Sequence, residues 1–276
     1  MKKYIVTIIV LFVLIALSIG GYFVYSKTMT NKSNDGTTLR QKSISEIEFA
    51  SSNLVEIMNE INNISYTKYE VVKEEISNPE ADSNTTSENT INSSSLVENN
   101  NQGNGDVDWD TVKGDVEDIY TNWTTILIDL TTLNVNRDNL LKFNNKLDET
   151  INSIKKKDKA ATLLNLAGLH DLLSQYLSEF SENGEKNTIY NIRTNVLYAY
   201  AYVESEDWNK IGEHIAKAKE GFSSLINNSL NNLNNIDIIN KAYILVNELE
   251  EDSRAQNKTT FLISYRNLIE EMENIT

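Results

Sequence analysis

The chain has 276 residues, with 40 acidic and 25 basic side chains and a formal net charge of −15. Nucleic-acid binding depends on Lys and Arg contacts to phosphates, so this charge argues against a nucleic-acid partner. The absence of cysteine excludes disulfide scaffolds and thiolate metal sites. The abundance of Asn, Ile and Lys is typical of proteins from AT-rich bacteria.

The amino-terminal segment predicts a membrane anchor over residues 1–25. From Tyr4 to Tyr25 the sequence has 22 residues without a charge, and Lys2 and Lys3 precede them. At about 1.5 Å per residue this stretch forms a helix of roughly 33 Å, which is long enough to cross a hydrocarbon core. We therefore interpret it as the transmembrane helix, a signal-anchor, of a single-pass membrane protein.

A cleaved signal peptide is the alternative, since Ser18 and Gly20 provide small residues for a cleavage site. The apolar run continues through residues 22–25, which favours an uncleaved anchor. Basic residues on both sides weaken the charge asymmetry, but long trailing domains cross a membrane largely regardless of charge. We therefore expect the carboxyl-terminal domain on the extracytoplasmic side of the cell membrane.

Residues 26–77 predict a tether followed by an amphipathic stalk helix. Residues 26–42 are polar and show no periodicity, whereas apolar side chains between residues 43 and 64 fall on one helical face. These side chains are Ile44, Ile47, Leu54, Ile57, Ile61 and Ile64. The stripe must pack either on the distal domain or on a second copy in a coiled coil, so a homodimer through residues 43–64 is one hypothesis.

Residues 78–106 predict a disordered, low-complexity linker. The segment is rich in Asn, Ser and Thr and contains the only proline of the chain. Its few apolar side chains cannot bury enough surface to offset the entropy lost on ordering.

Residues 107–276 predict a bundle of about seven helices arranged as antiparallel hairpins, so the expected fold class is all-α. The expected helices span 108–133, 137–156, 159–181, 188–205, 208–228, 236–252 and 258–274. Asp108, Asp158, Asp207 and Asn257 are the expected N-caps, because their side chains can accept free N–H groups of a first helical turn.

The four expected N-caps are separated by 50, 49 and 50 residues. Every position eight, eleven, fifteen and eighteen residues past a cap is apolar or aromatic. This equal spacing suggests helical hairpins repeated about every 50 residues. Gly184 is expected to lie in one of the connecting turns.

Small and aromatic residues recur over one predicted hairpin of about 25 residues. They are Ala199, Tyr202, Trp208, Ile215 and Ala218, and they fall where tetratricopeptide repeats place their packing residues. The segment therefore resembles part of one such repeat, which implies stacked helical hairpins. The resemblance is an analogy of architecture only, because the closing proline of that family is missing.

The two histidines of the chain, His170 and His214, each have an acidic neighbour in Asp171 or Glu213. A metal pair, or a general base with its carboxylate, could be drawn from them, so a metal-dependent or hydrolytic cell-envelope enzyme is an alternative function. Adjacent helical residues point about 100 degrees apart, so neither carboxylate faces its own histidine. We therefore expect no catalytic, cofactor-binding or metal-binding residue.

The remaining motifs do not indicate an enzyme. The sequence has no phosphate loop, dinucleotide fingerprint or nucleophile elbow. Lysines 155–157 are best explained as favourable charges at the negative end of a helix dipole. The leading expectation is a non-enzymatic domain that binds another protein or an envelope component, and a structural protein that dimerises through its stalk helix is a further hypothesis.

The densest aromatic stretch supplies the candidate partner-binding surface. Tyr198 and Tyr202 share one face of a helix, whereas Tyr200 points almost to the opposite side. Exposed aromatic side chains on the concave side of a hairpin array serve ligand or peptide contact. Tyr190 and Tyr200 are therefore the candidate residues for partner contact, and core packing is the default interpretation of both.

Overall fold

The computed structural model describes residues 35–62, 107–229 and 236–275. Within these ranges the chain is all-helical, as expected, with eight helices and no strand. The helices are α1 (Asp35–Ile61), α2 (Trp109–Thr132), α3 (Arg137–Lys155), α4 (Lys159–Phe180), α5 (Gly184–Ala201), α6 (Trp208–Ser229), α7 (Ile236–Arg254) and α8 (Lys258–Glu273). The anchor predicted over residues 1–25 and the linker predicted over residues 78–106 lie outside the described residues.

None of the described helices is long and apolar enough to cross a membrane.

Six of the seven helices predicted after residue 107 begin and end within two residues of their expected bounds. The exception is α5, which begins at Gly184 and ends at Ala201, four residues earlier than predicted at both ends. The prediction placed Gly184 in a turn, but Asn183 is the N-cap here and its Oδ1 accepts from Lys186 N at 3.0 Å. The four predicted N-caps are confirmed, since the side chains of Asp108, Asp158, Asp207 and Asn257 all accept backbone N–H groups.

Four of the five short turns between described helices share one backbone geometry, and the turn at residues 181–183 is the exception. Asn134, Lys157, Glu206 and Gln256 have φ values of 62°, 55°, 53° and 52°. At each of them two reverse hydrogen bonds close the helix end, as when Asp158 N donates to Ser153 O at 3.0 Å and Lys157 N to Ile154 O at 2.9 Å. This is the Schellman arrangement, in which a left-handed residue ends a helix.

In three of these turns the residue after the left-handed one is also the N-cap of the next helix. Asp158, Asp207 and Asn257 each end one helix through the backbone and begin the following one through the side chain. Such short turns leave no length for a crossover, so the helices they join are antiparallel neighbours. The spacings of 49 and 50 residues between these three caps thus reflect a repeated hairpin turn.

Helix α1 begins at Asp35, eight residues before the predicted start of the stalk helix, so part of the predicted tether is helical. Ion pairs support this polar beginning: Arg40 lies 2.7 Å from Glu182, and Lys42 lies 2.6 Å from Asp129. The sequence pattern did not predict these residues as helical, because they show no apolar period and their ion-pair partners lie far along the chain.

The contacts between helices form two closed groups of four. In the first group α1 packs on α2, α2 on α3, α3 on α4, and α4 returns to α1. In the second group α5, α6, α7 and α8 repeat the same order, and α8 returns to α5. Helices α4 and α5 pack on each other and join the groups. The described residues thus form a helical bundle in which each helix packs on the next along the chain, and the contacts of α1 with α4 and of α5 with α8 close the two groups.

The apolar positions that repeat after the four N-caps form the core of both groups. All sixteen of them are buried. They are Val116, Ile119, Trp123, Ile126, Leu166, Leu169, Leu173, Tyr176, Ile215, Ala218, Phe222, Leu225, Tyr265, Leu268, Met272 and Ile275. Removal of their apolar surface from water contributes to stability at about 25 cal/mol per Å².

An aromatic cluster fills the centre of the first group. The rings of Trp123 and Phe143 stack with centroids 3.9 Å apart, and Tyr176 lies 6.0 Å from Trp123. Both polar atoms of the cluster are satisfied, because Trp123 Nε1 donates to Asn144 Oδ1 at 2.6 Å and Tyr176 Oη donates to Asn139 O at 2.6 Å. Burial raises the pKa of the Tyr176 hydroxyl, which stays protonated.

The apolar face of α1 is covered by the bundle itself. Ile47, Leu54, Ile57 and Ile61 are all buried, and α1 packs on α2 and α4. Of the two occupants expected for this face, the distal domain is the one seen. The homodimer through residues 43–64 stays a prediction, and it would require α1 to leave this position.

Candidate functional site

A polar groove lies where α4, α5 and α6 meet, with a volume of about 530 Å³. Asp171 on α4, Asn191, Asn195 and Tyr198 on α5, and His214 and Glu220 on α6 are among its lining residues. The helices approach closely beside it, since a Cβ built on Gly221 would come within 2.4 Å of Ile192 Cγ1. Glycine on α6 therefore sets the spacing between α5 and α6 at the groove.

His214 is held firmly in this groove. Its Nδ1 lies 3.0 Å from Asn195 Oδ1, and its ring stacks on Tyr198 and Tyr202 with centroids 4.9 Å and 5.8 Å away. Asn195 Nδ2 donates to Asn191 O at 2.9 Å, so Asn195 Oδ1 is the acceptor and His214 Nδ1 carries the proton. This tautomer leaves His214 Nε2 as a hydrogen-bond acceptor.

Burial lowers the pKa of His214, and the nearby Lys217 ammonium lowers it further. The imidazole is therefore neutral at neutral pH. Burial raises the pKa of the Tyr198 hydroxyl, and the Asp171 carboxylate adds to the effect. The groove thus presents a neutral imidazole, a protonated phenol, amides and hydroxyls, with formal charge confined to Asp171, Lys217 and Glu220.

His170 lies behind the wall of the groove and has no exposed surface. Its Nδ1 is 2.9 Å from Thr194 Oγ1, and Thr194 in turn donates to Tyr190 O at 3.0 Å. Because the threonine proton is used on that carbonyl, His170 Nδ1 is the donor of the first bond. Burial lowers the pKa of His170 to about 3, with the Arg193 guanidinium as a second cause.

The structure ties both histidines to neighbouring residues of α5. His170 bonds Thr194 and His214 bonds Asn195, so one ring packs inside the bundle and the other faces the groove. Among the residues that the structure describes, no group of three or more His, Asp or Glu side chains converges as a metal site would require. A buried, neutral His170 has no access to a substrate.

Tyr190 and Tyr200 do not form an exposed surface, and the default interpretation, core packing, describes both. They are 2% and 0% exposed. Tyr190 stacks on His170 with ring centroids 6.0 Å apart, and Tyr200 Oη donates to Met58 O at 2.8 Å. The physical reason is that neighbouring helices cover the sides of α5 that carry these two rings, since Tyr190 packs on His170 of α4 and Tyr200 stacks on Tyr265 of α8.

Sequence reasoning missed the residues of α5 that do face the groove. Asn191, Asn195 and Tyr198 are spaced by four and three positions, which places them on one helical face. A polar stripe of this spacing on an otherwise apolar helix was the available signal. This polar stripe indicates a groove only when the helices that pack against α5 are known.

Comparison of the chain with models of protein families, with characterised proteins and with solved structures gives no match. The proposed function therefore rests on the groove and on the sequence of residues 1–25.

Proposed function

We propose that this protein is a membrane-anchored, non-enzymatic binding protein that displays its helical bundle outside the cell membrane. The proposal of an anchor is supported by the 22 uncharged residues from Tyr4 to Tyr25 behind two lysines. The proposal of a binding role is supported by the groove between α4, α5 and α6.

The observation that carries the binding role is the internal support of the groove residues. His214 is fixed by Asn195 and by two aromatic rings, and Asn195 is fixed by Asn191. Polar groups held in place in this way lose little entropy when a ligand binds. The groove volume of about 530 Å³ also falls in the range typical of ligand sites.

The chemistry of the groove favours a polar ligand that is largely uncharged. Its amides, hydroxyls and neutral imidazole can both donate and accept hydrogen bonds. An envelope component rich in hydroxyl and amide groups, such as a glycan with acetamido groups, fits this set.

Titration of the full chain in nanodiscs with an N-acetylglucosamine tetrasaccharide tests the binding role. We expect saturable heat release in calorimetry, and we expect Asn191→Ala to weaken it by roughly tenfold. Asn209→Ala is the matched control, because Asn209 is exposed on α6 and does not line the groove. Equal binding by both variants, or no binding by the parent chain, would contradict the assignment of this ligand to the groove.

Protease treatment of intact cells tests the location independently. We expect cleavage within residues 78–106, which predict an accessible linker, and the product is a carboxyl-terminal fragment of the chain. Because α1 packs on α2 and α4, release of the bundle into the medium also requires cleavage between residues 1–25 and α1. Complete protection of the chain, with a surface protein digested in the same sample, would contradict the proposed orientation.

A further inference from the structure

A second groove, with a volume of about 530 Å³, is lined only by residues of α7 and α8. Ile244 on α7 and Ile263 on α8 line it, and they are 60% and 48% exposed. Among the described residues, six large hydrophobic side chains are exposed, and these two belong to one groove. Paired exposed isoleucines in a concavity differ from single exposed apolar residues, which are ordinary on protein surfaces.

The rim of this groove is acidic. Glu248, Glu251 and Asp252 line it together with the two isoleucines. On α7, Ile244, Glu248 and Glu251 follow a spacing of four and three, so the carboxylates continue the face that begins with the isoleucine. Arg254 lies 2.7 Å from Glu251, whereas Glu248 is exposed. The two exposed isoleucines therefore lie beside a local excess of negative charge.

We propose that the α7–α8 groove docks an amphipathic helix with a basic polar face, supplied by a partner protein. Two isoleucines on neighbouring helices provide a seat for apolar side chains spaced by three or four residues on such a helix. The carboxylates at the rim are placed to pair with lysines or arginines that flank those apolar anchors. The groove volume accommodates a few anchor side chains, with the body of the helix lying above them.

The described part of this chain does not supply the occupant. Its exposed basic run, Lys155–Lys157, lies at the end of α3 and in the following turn, where it is part of the first four-helix group. A run held there cannot also present an apolar helical face to its own α7–α8 groove. The acidic side chains beside the exposed isoleucines specify the chemistry of the occupant, a basic amphipathic helix, and we assign that helix to a partner protein.

Fluorescence anisotropy with a labelled Leu/Lys amphipathic peptide of about 18 residues tests this proposal. The full chain is used in nanodiscs of uncharged lipid, with empty nanodiscs as the blank. We expect saturable binding that weakens as salt is raised, since the rim carboxylates contribute through exposed charges. A peptide of the same composition with scrambled order, which lacks an apolar face, is expected to bind at least tenfold more weakly.

Matched variants locate the binding. Ile244→Ser and Ile263→Ser are expected to weaken peptide binding roughly tenfold each, whereas Ile128→Ser, at a side chain 55% exposed on α2, is expected to leave it unchanged. Glu248→Gln is expected to reduce the salt dependence. Circular dichroism of each variant checks that the fold is retained.

Four outcomes would overturn the proposal. Unchanged peptide affinity in the Ile244→Ser variant would show that Ile244 does not contact the peptide. An equal loss of affinity in the Ile128→Ser variant would show that the peptide adsorbs non-specifically. Equal affinity for the scrambled peptide would show that the chain recognises the charge of the peptide and not its apolar face. If sedimentation showed that Ile244→Ser abolishes self-association while peptide binding is unaffected, the groove would be a contact between copies of this chain.

Discussion

Tyr200 on α5 and Tyr265 on α8 stack with ring centroids 4.1 Å apart, and both hydroxyl groups reach α1. Tyr200 Oη donates to Met58 O at 2.8 Å, and Tyr265 Oη donates to Asn59 Oδ1 at 3.0 Å. Met58 O is among the last four carbonyls of α1, which have no partner within the helix. The second four-helix group thus caps a helix of the first.

Removal of the Tyr200 hydroxyl is expected to destabilise the protein. Tyr200→Phe leaves the Met58 carbonyl without this donor and removes the acceptor of Asn62 Nδ2, for a loss of about 1–3 kcal/mol. In thermal unfolding followed by circular dichroism this corresponds to roughly 2–10 °C. Tyr120→Phe is the control, since Tyr120 is an exposed tyrosine of α2. Similar midpoints for the two variants would show that the hydroxyl of Tyr200 contributes no net stability.

The close approach of α5 and α6 predicts opposite effects for two glycines of one helix. Gly221→Ala would place a Cβ 2.4 Å from Ile192 Cγ1, and we expect a loss of about 1–3 kcal/mol. Gly212→Ala meets nothing within 4 Å and is expected to stabilise α6 by up to about 1 kcal/mol. The midpoints of thermal unfolding of the two variants measure both changes in stability.

Truncation of Ile192 provides a check on the mechanism. The Ile192→Ala change costs stability by itself, but it is expected to make the additional cost of Gly221→Ala small. A full additional cost in the double variant would show that the clash is not its cause.

The left-handed turn residues predict stabilising substitutions to glycine. Lys157→Gly and Gln256→Gly remove a strained Cβ and are expected to raise stability by about 0.5–1 kcal/mol each. Asn134→Gly is expected to change little, because asparagine already tolerates this conformation. Lys156, which has φ −84°, is the control, and Lys156→Gly is expected to destabilise. The midpoints of urea unfolding measure the stability of each variant. A stabilising effect of Lys156→Gly would show that the gain does not depend on the left-handed conformation.

Burial of His170 predicts a loss of stability in acid. Its pKa is lowered from 6.5 to about 3 in the folded protein, chiefly by burial and secondly by the Arg193 guanidinium. Between these pH values the unfolded chain binds a proton that the folded chain does not. Stability from this group therefore falls as the pH falls through that window, by at most about 1.4 kcal/mol per pH unit.

The contribution of His170 is separated from that of the carboxylates by comparison with His170→Phe. Urea unfolding at pH 7 and pH 4 is expected to show a smaller pH dependence in this variant than in the parent chain. His214→Gln is the matched control, because His214 is half-buried and a smaller change is expected there. Identical pH dependence of the parent and His170→Phe would contradict a neutral, buried imidazole.

Helix bounds were largely predictable because their signals are local. Asp158 and Asp207 mark helix starts through side chains that reach N–H groups three residues away, and the apolar period marks which residues share a face. The start of α1 at Asp35 was not predictable in this way. Arg40 and Lys42 support it through Glu182 and Asp129, which are distant in sequence.

The candidate site was far less predictable. His214 and Asn195 are 19 residues apart on different helices, and their hydrogen bond depends on how α5 and α6 pack. Tyr200 was misplaced for the same reason, because a helical period shows which side chains share a face but not how many faces are covered.

By itself, the sequence determined that this chain after residue 107 is a set of amphipathic helices with defined ends, since capping and periodicity act within one or two turns. Only the tertiary structure decided that α4 returns to α1 and α8 to α5, that Tyr190 and Tyr200 are buried, and that polar residues of α4, α5 and α6 share a groove. The physical reason is that packing between helices depends on the shapes of side chains brought together from distant parts of the chain.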